Sequence, residues 1–171
     1  MTAERIANYC PRCGHALEQR ERFGKLRPVC PACGQTVFFD PKVAVVVFIT
    51  DGDRVLLVQR LHPPAQGLWA LPAGFVDADE DPAAAAAREA LEETGLIVQV
   101  DALLDVLHRP DPDGLADIII AYSAHVTGGV LCAADDACDA RWFARDALPE
   151  VGLVTTLKLL DGWVQNEINT E

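Results

Sequence analysis

Hydrophobic and polar positions change period several times along this chain, and each change marks an element boundary. Val43 to Ile49 is an unbroken apolar run rich in β-branched residues, the pattern of a strand buried on both faces. Thr50-Asp51-Gly52-Asp53 supplies turn residues and Arg54 to Arg60 resumes the apolar pattern, so the two runs predict a β-hairpin. Pro63, Pro64 and Gly67 place a loop over Arg60 to Gly67, and a short strand follows around Leu68 to Leu71.

The period then becomes helical. Asp81 is a side chain that caps a helix start, Pro82 suits the first helical position and Gly95 suits the end, which predicts a helix over Pro82 to Thr94. Five consecutive alanines, Ala83 to Ala87, favour it by propensity and let other backbone approach closely. Strand patterns return over Leu96 to Leu107 and Ile118 to Val126, separated by the turn-rich Arg109 to Gly114, and a short one falls at Ala140 to Phe143. Helical spacing of apolar residues over Leu153 to Val164 predicts a second helix.

The 171 residues suffice for one well-buried domain and a small appendage. With 50% hydrophobic and 23% charged residues the composition is that of a folding globular chain. Val43 to Ile49, the longest apolar run, is far short of the roughly 20 residues of a membrane-spanning helix. Met1 to Tyr9 lacks the apolar centre of an export signal, so a cytoplasmic protein is expected. The net charge of −12 argues against non-specific nucleic-acid binding. An acidic protein can still hold phosphates through a bridging divalent cation.

The cysteines set the domain boundary. Cys10-Pro11-Arg12-Cys13-Gly14 and Cys30-Pro31-Ala32-Cys33-Gly34 are two copies of one loop, with the spacing of a four-thiolate zinc site. Four sulfurs close a tetrahedral site and leave no position for substrate, so the metal is structural, Zn2+ ahead of iron. A segment of about 40 residues has too small a core to fold unaided, which assigns the metal a folding role. The expected division is a zinc ribbon over 1–40 and a second domain over 41–171. The ribbon's basic residues Arg12, Arg20, Arg22, Lys25 and Arg27 are too few to predict a nucleic-acid interface, and a packing or dimer-forming role stands beside it. Cys132 and Cys138 read as reduced thiols.

From Gly74 to Leu96 the chain reads GFVDADEDPAAAAAREALEETGL. On a helix Glu89, Glu92 and Glu93 stand at i, i+3 and i+4, three carboxylates within one turn. Their repulsion needs a cation, which makes the turn a site for a hard divalent ion. This segment resembles the Nudix box, G-x5-E-x7-R-E-U-x-E-E-x-G-U, at every fixed position, with Ala90 and Leu96 as the aliphatic residues. Gly67 to Gly74 resembles the stretch leading into that box, and Asp136 to Phe143 resembles the later E-x-x-E-x-R-W-F segment of the family. The leading cysteine pairs are similar to those of a subgroup with an N-terminal zinc ribbon that includes enzymes acting on ADP-ribose, FAD and NADH.

The resemblance implies an α/β fold: a Nudix α/β/α sandwich with a mixed sheet, preceded by the small ribbon. It implies Mg2+ or Mn2+ held by Glu89 and Glu93 with the backbone carbonyl of Ala73, and Glu92 as a further ligand or the base. Arg88 is expected to pair with Glu80 or Glu92 and fix their geometry. Asp136 stands where part of the family has an assisting glutamate, one methylene longer. Trp69, Phe75 and Trp142 are candidates for stacking on a base, with core packing as their alternative fate, and Trp69, Phe75 and Asp136 are the candidate substrate contacts. The reaction implied is hydrolysis of the pyrophosphate in a nucleoside diphosphate linked to another moiety. The SQPWPFPxS motif of NADH-specific members is absent, and Pro112 lies 16 residues beyond Leu96, as in ADP-ribose-selective members. ADP-ribose is therefore favoured, with FAD or NADH next. A nucleoside-triphosphate sanitiser and a nucleic-acid-binding regulator with a metabolite-sensing domain are the alternatives. Homodimers are common in the family.

Overall fold

The computed structural model describes residues 5–108 and 116–165; Pro110 and Pro112 lie outside the described residues. The chain divides into two compact units between Pro41 and Lys42.

In the first unit, β1 (Glu18–Arg22) and β2 (Lys25–Val29) form an antiparallel hairpin. Neither strand has an apolar alternation that could announce it, and the pairing register runs from Glu18 opposite Val29 to Arg22 opposite Lys25. The two cysteine loops repeat each other bond for bond. Cys10 N–H donates to His15 O and Gly14 N–H to Cys10 O, at 2.8 and 2.9 Å; Cys30 N–H donates to Gln35 O and Gly34 N–H to Cys30 O at the same distances. Gly14 and Gly34 close these turns at φ of +74° and +75°, a conformation that a Cβ would strain.

The second unit is a sheet with one helix on each face. β3 (Val43–Asp51) is its centre, and β4 (Arg54–Arg60), β5 (Trp69–Ala70), β6 (Ala73–Phe75), β7 (Leu96–His108), β8 (Ile118–Gly129) and β9 (Ala137–Ala144) complete it. The order is β5-β4-β3-β8-β7, with β9 on β4 and β6 on β3. β3 runs parallel to β8 and antiparallel to β4 and β6, so the sheet is mixed. The expected β3–β4 hairpin pairs only at its turn, through Thr50–Val55 and Asp51–Arg54. Beyond those pairs β6 takes the same edge of β3. That three-residue strand is too short to show a period in sequence.

β3 explains the two-sided burial. Val45, Val47 and Ile49 pack with Ala85, Ala86 and Ala90 of α1 (Pro82–Thr94), whereas Val46 and Phe48 pack with Leu159, Leu160 and Trp163 of α2 (Val154–Val164). The three alanines have no exposed surface; the helix contributes only methyl groups to this contact, against the branched side chains of the strand. This is the α/β/α sandwich that the family resemblance implies. No helix among the described residues is long and apolar enough to cross a membrane.

Candidate active site

The site is built on α1 and the strand it covers. Asp81 caps the helix by accepting from Ala83 and Ala84 N–H (2.9 and 3.2 Å), and Gly95 ends it in the left-handed region. These two stops fix the helical phase, and with it the depth of each glutamate. Glu93 is 4% exposed and accepts the Ala73 N–H at 3.0 Å. Glu89 is 8% exposed, and its carboxylate lies over Gly74, where a Cβ would fall 2.0 Å from Glu89 Cδ. Gly74 is therefore required for space. Glu92, the third member of the expected face, is exposed and bonded to Arg88. The helical spacing places all three on one side, but only two reach the sheet.

Arg88 ties the helix to the loop after β6. Its guanidinium donates twice to Glu80, from Nε and Nη2 at 2.8 Å, and also to Glu89 (2.6 Å), Glu92 (2.9 Å) and the Phe75 carbonyl (2.9 Å). Bonding to Arg88 holds the Glu80 carboxyl below its ordinary range, and Arg88 itself is held firmly protonated by Glu80 and Glu89. The pairing expected from sequence is present and wider than expected.

Burial pushes the Glu93 carboxyl up to about 8; the Ala73 N–H works against this, while the Glu89 charge adds to it. Burial also raises Glu89, against the pull of Arg88. Two further acids come from a segment tied to the end of α1, where Cys132 N–H donates to Thr94 O (2.9 Å) and Ala134 N–H to Glu93 O (3.2 Å). Through these bonds Asp135 and Asp136 sit near enough to repel Glu89 and Glu93 respectively. Buried carboxylates pushed up from their ordinary range, with more acids beside them, are a donor set that a hard divalent cation fits. Among the described residues, the four cysteines are the one group of three or more metal-ligating side chains within 4.8 Å of one another.

Those cysteines are assembled. Cys10–Cys33, Cys13–Cys30 and Cys13–Cys33 sulfurs stand 3.6, 3.5 and 3.5 Å apart, close to the roughly 3.8 Å edge of a tetrahedron with 2.3 Å zinc–sulfur bonds. Burial raises Cys10, but N–H groups of Arg12 and Cys13 outweigh it and hold the thiol at about 7. The His15 N–H favours ionised Cys13, yet neighbouring Cys30 and Cys33 push it up to about 12. Only a bound cation lets all four ionise this close together. Cys132 and Cys138 are exposed and take no part.

A cavity of about 220 Å³ is lined in part by Ala73 and Gly74, the β6 residues that meet Glu93 and Glu89. β6 lines it with Ala73, Gly74 and Phe75, together with Ala44, Ile119, Arg60, His62 and Asp136. His62 Nε2 is 3.7 Å from Asp136 Oδ1. Of the candidate substrate contacts, Phe75 and Asp136 line the cavity. Trp69 instead packs edge-on against Phe143 with ring centres 4.7 Å apart, and Trp142 packs into the α1-side core. Arg60, His62 and Asp135 were not legible as site residues, because a loop and the bonds from α1 bring them in from distant positions. The apolar run within Arg54 to Arg60 puts Arg60 at a strand end, the one signal available for it.

A family profile described as NUDIX domain matches residues 40–160. An ADP-ribose pyrophosphatase of Methanocaldococcus jannaschii is 40% identical over 116 residues, covering 67% of this chain and 69% of that protein. The NAD-capped RNA hydrolase NudC of Pseudomonas aeruginosa is 30% identical over 143 residues, 82% of this chain but only 49% of its own length. This chain thus spans about half of that relative. In structure, the chain is similar to a NUDIX hydrolase from Nitrosomonas europaea, with a TM-score of 0.85, 25% identity and coverage of 94% of this chain and 92% of that one.

Proposed function

The chain belongs to the NUDIX domain family, and on that premise we propose that it hydrolyses the pyrophosphate bond of a nucleoside diphosphate joined to a second moiety, with ADP-ribose the favoured substrate. The observation that carries this is the double use of β6. Ala73 and Gly74 receive Glu93 and Glu89 and, with Phe75, also wall the cavity. Substrate in the cavity therefore lies against the residues that seat the carboxylates. At about 220 Å³ the cavity is below the roughly 300–1,000 Å³ of whole-ligand pockets, so it takes one end of a two-part molecule and leaves the pyrophosphate at its rim.

Glu89 and Glu93 are the proposed holders of Mg2+ or Mn2+, joined by Glu92 and the Ala73 carbonyl. Such an ion, when bound, neutralises phosphate charge and makes water a better nucleophile. The chain's own residues do the rest. Arg88 holds Glu80 and the Phe75 carbonyl and so fixes the loop beside Glu89. Glu92, exposed and free of the sheet, is the helix carboxylate with room to accept a proton from water. Phe75 offers a 40% exposed ring at the cavity, where a base can stack. The four cysteines hold structural zinc and contribute no reacting group.

ADP-ribose stands ahead of FAD and NADH because the 40% identical relative bears the name ADP-ribose pyrophosphatase and the NADH-type motif is absent. The test compares kcat/KM for ADP-ribose, NADH, FAD and nucleoside triphosphates with Mg2+ or Mn2+, identifying products by mass. The expected products from ADP-ribose and water are AMP and ribose 5-phosphate. A higher kcat/KM for NADH, or activity confined to triphosphates, overturns the assignment.

A further inference from the structure

The ribbon's hairpin carries features that neither zinc binding nor hydrolysis uses. Residues 1–41 hold six of the 14 basic and four of the 26 acidic residues, a net +2 against −14 for the remainder. The structure concentrates that charge. Arg20 lies opposite Arg27 and Arg22 opposite Lys25 in the register of β1 and β2, which places four cations on one face. Like charges directly opposite in a ladder are destabilising. Arg20 is answered by Glu18 at 2.8 Å, whereas Arg22 and Lys25 make no ion pair among the described residues. Arg27 lies 4.8 Å over the Phe38 ring, and its buried Nε finds no hydrogen-bond acceptor.

The aromatic side chains are placed as unusually as the cations. Phe23 occupies the first central position of the hairpin turn at φ +54°, followed by Gly24 at +72°. Such a turn favours Asn-Gly, and a bulky residue there is strained. The strained residue is also 78% exposed. Its ring stands 6.0 Å from that of Phe38, itself 49% exposed. Arg27, Phe38 and Phe23 thus form a continuous cation–ring–ring platform beside Arg20, Arg22 and Lys25.

We propose that this face of the ribbon binds single-stranded nucleic acid. Phosphates answer the cations, and unpaired bases supply flat faces for the two rings. A duplex hides its base faces in the stack, and an acidic peptide answers the charges but leaves the rings exposed. The overall −12 charge, which argues against such a partner when taken as one number, is carried by the rest of the chain.

The test uses the full-length zinc-loaded protein and a fluorescein-labelled oligouridylate, with anisotropy read over a KCl series. Four phosphate contacts predict a log K against log salt slope of about −3. Lys25→Glu creates an ion pair with Arg22, so the ribbon keeps its zinc while affinity falls about tenfold or more and the slope flattens by roughly one unit. Phe23→Ala lowers affinity about tenfold with the slope unchanged. Hydrolysis of the small substrate stays the same in both. Absence of saturable binding at low salt overturns the proposal. So does binding that both variants retain, which would place it elsewhere on the chain. A preference for a duplex of the same length, or for phosphatidylserine vesicles, also overturns it.

Discussion

The cysteine cluster and the glutamate cluster are both sets of like-charged ligands, yet the fold prepares them in opposite ways. The ribbon brings four sulfurs within 4.8 Å of one another through two loops with the same hydrogen bonds. The second unit buries Glu89 and Glu93 apart, one over Gly74 and one on the Ala73 N–H, and leaves Glu92 outside on Arg88. A preassembled cage suits a metal that stays for the life of the fold. Dispersed carboxylates, partly answered by an arginine and by protons, suit an ion that comes and goes with substrate. Under the proposed function, the preassembled set is the structural site and the dispersed set the chemical one.

The sharpest way to separate the two is Glu93→Gln. The amide still accepts the Ala73 N–H but carries no charge, so folding and one zinc per chain are retained. A fall in kcat of about 10²-fold or more is expected, because a metal ligand acts mainly on the transition state. Turnover across a Mg2+ titration, with zinc measured in parallel, checks it. Near-normal turnover at every Mg2+ concentration removes Glu93 from the chemistry, and activity that tracks zinc instead moves the chemistry to the ribbon.

A smaller effect is expected from Gly74→Ala. The new methyl group occupies the place of the Glu89 carboxylate, so Glu89 must rotate away while β6 keeps its pairing with β3. A loss of about tenfold in kcat is predicted, as for a misplaced catalytic group. Unchanged kcat together with unchanged melting would show that Glu89 is not needed where it lies.

The smallest expected effect is on stability. Glu93 is raised from an ordinary 4.5 to about 8, so between those values the folded chain holds a proton that the unfolded chain has released. Its contribution is full below about pH 4.5 and is lost as pH rises toward 8. Without Mg2+, the Tm of the second unit should fall by a few degrees from about pH 5 to 8 relative to Glu93→Gln, whose curve lacks this component. Mg2+ should restore it most at the alkaline end, where no proton competes. Parallel curves for the two proteins would show that burial does not hold the proton.

Local chemistry made much of this legible. The α1 limits Pro82 and Thr94 were readable because Asp81, Pro82 and Gly95 each carry one physical job at a helix end. β3 was readable because burial on both faces demands an unbroken apolar run. β1, β2 and β6 were not, since an exposed hairpin and a three-residue strand bury too little to impose a pattern. For the site, the box spacing gave the glutamates their face. Their depth depends on which side chain meets β6, so spacing could not foretell that Glu92 stays outside. Asp135, Arg60 and His62 depend on bonds and loops joining distant segments, which leave no periodic trace.

The alanine face that α1 turns to β3 has its own consequence. Ala85, Ala86 and Ala90 are fully buried against Val45, Val47 and Ile49, and an interface of such short groups has almost no slack to take up by changing rotamers. The helix is a fixed bench on which the carboxylates are mounted. Adjustment to different substrates is left to what can swing about it: the glutamate side chains, the loop pinned by Arg88, and the residues at the cavity rim. Reshaping specificity in this scaffold is therefore a matter of changing fittings, while lengthening one of those alanines would shift all the carboxylates of the candidate site at once.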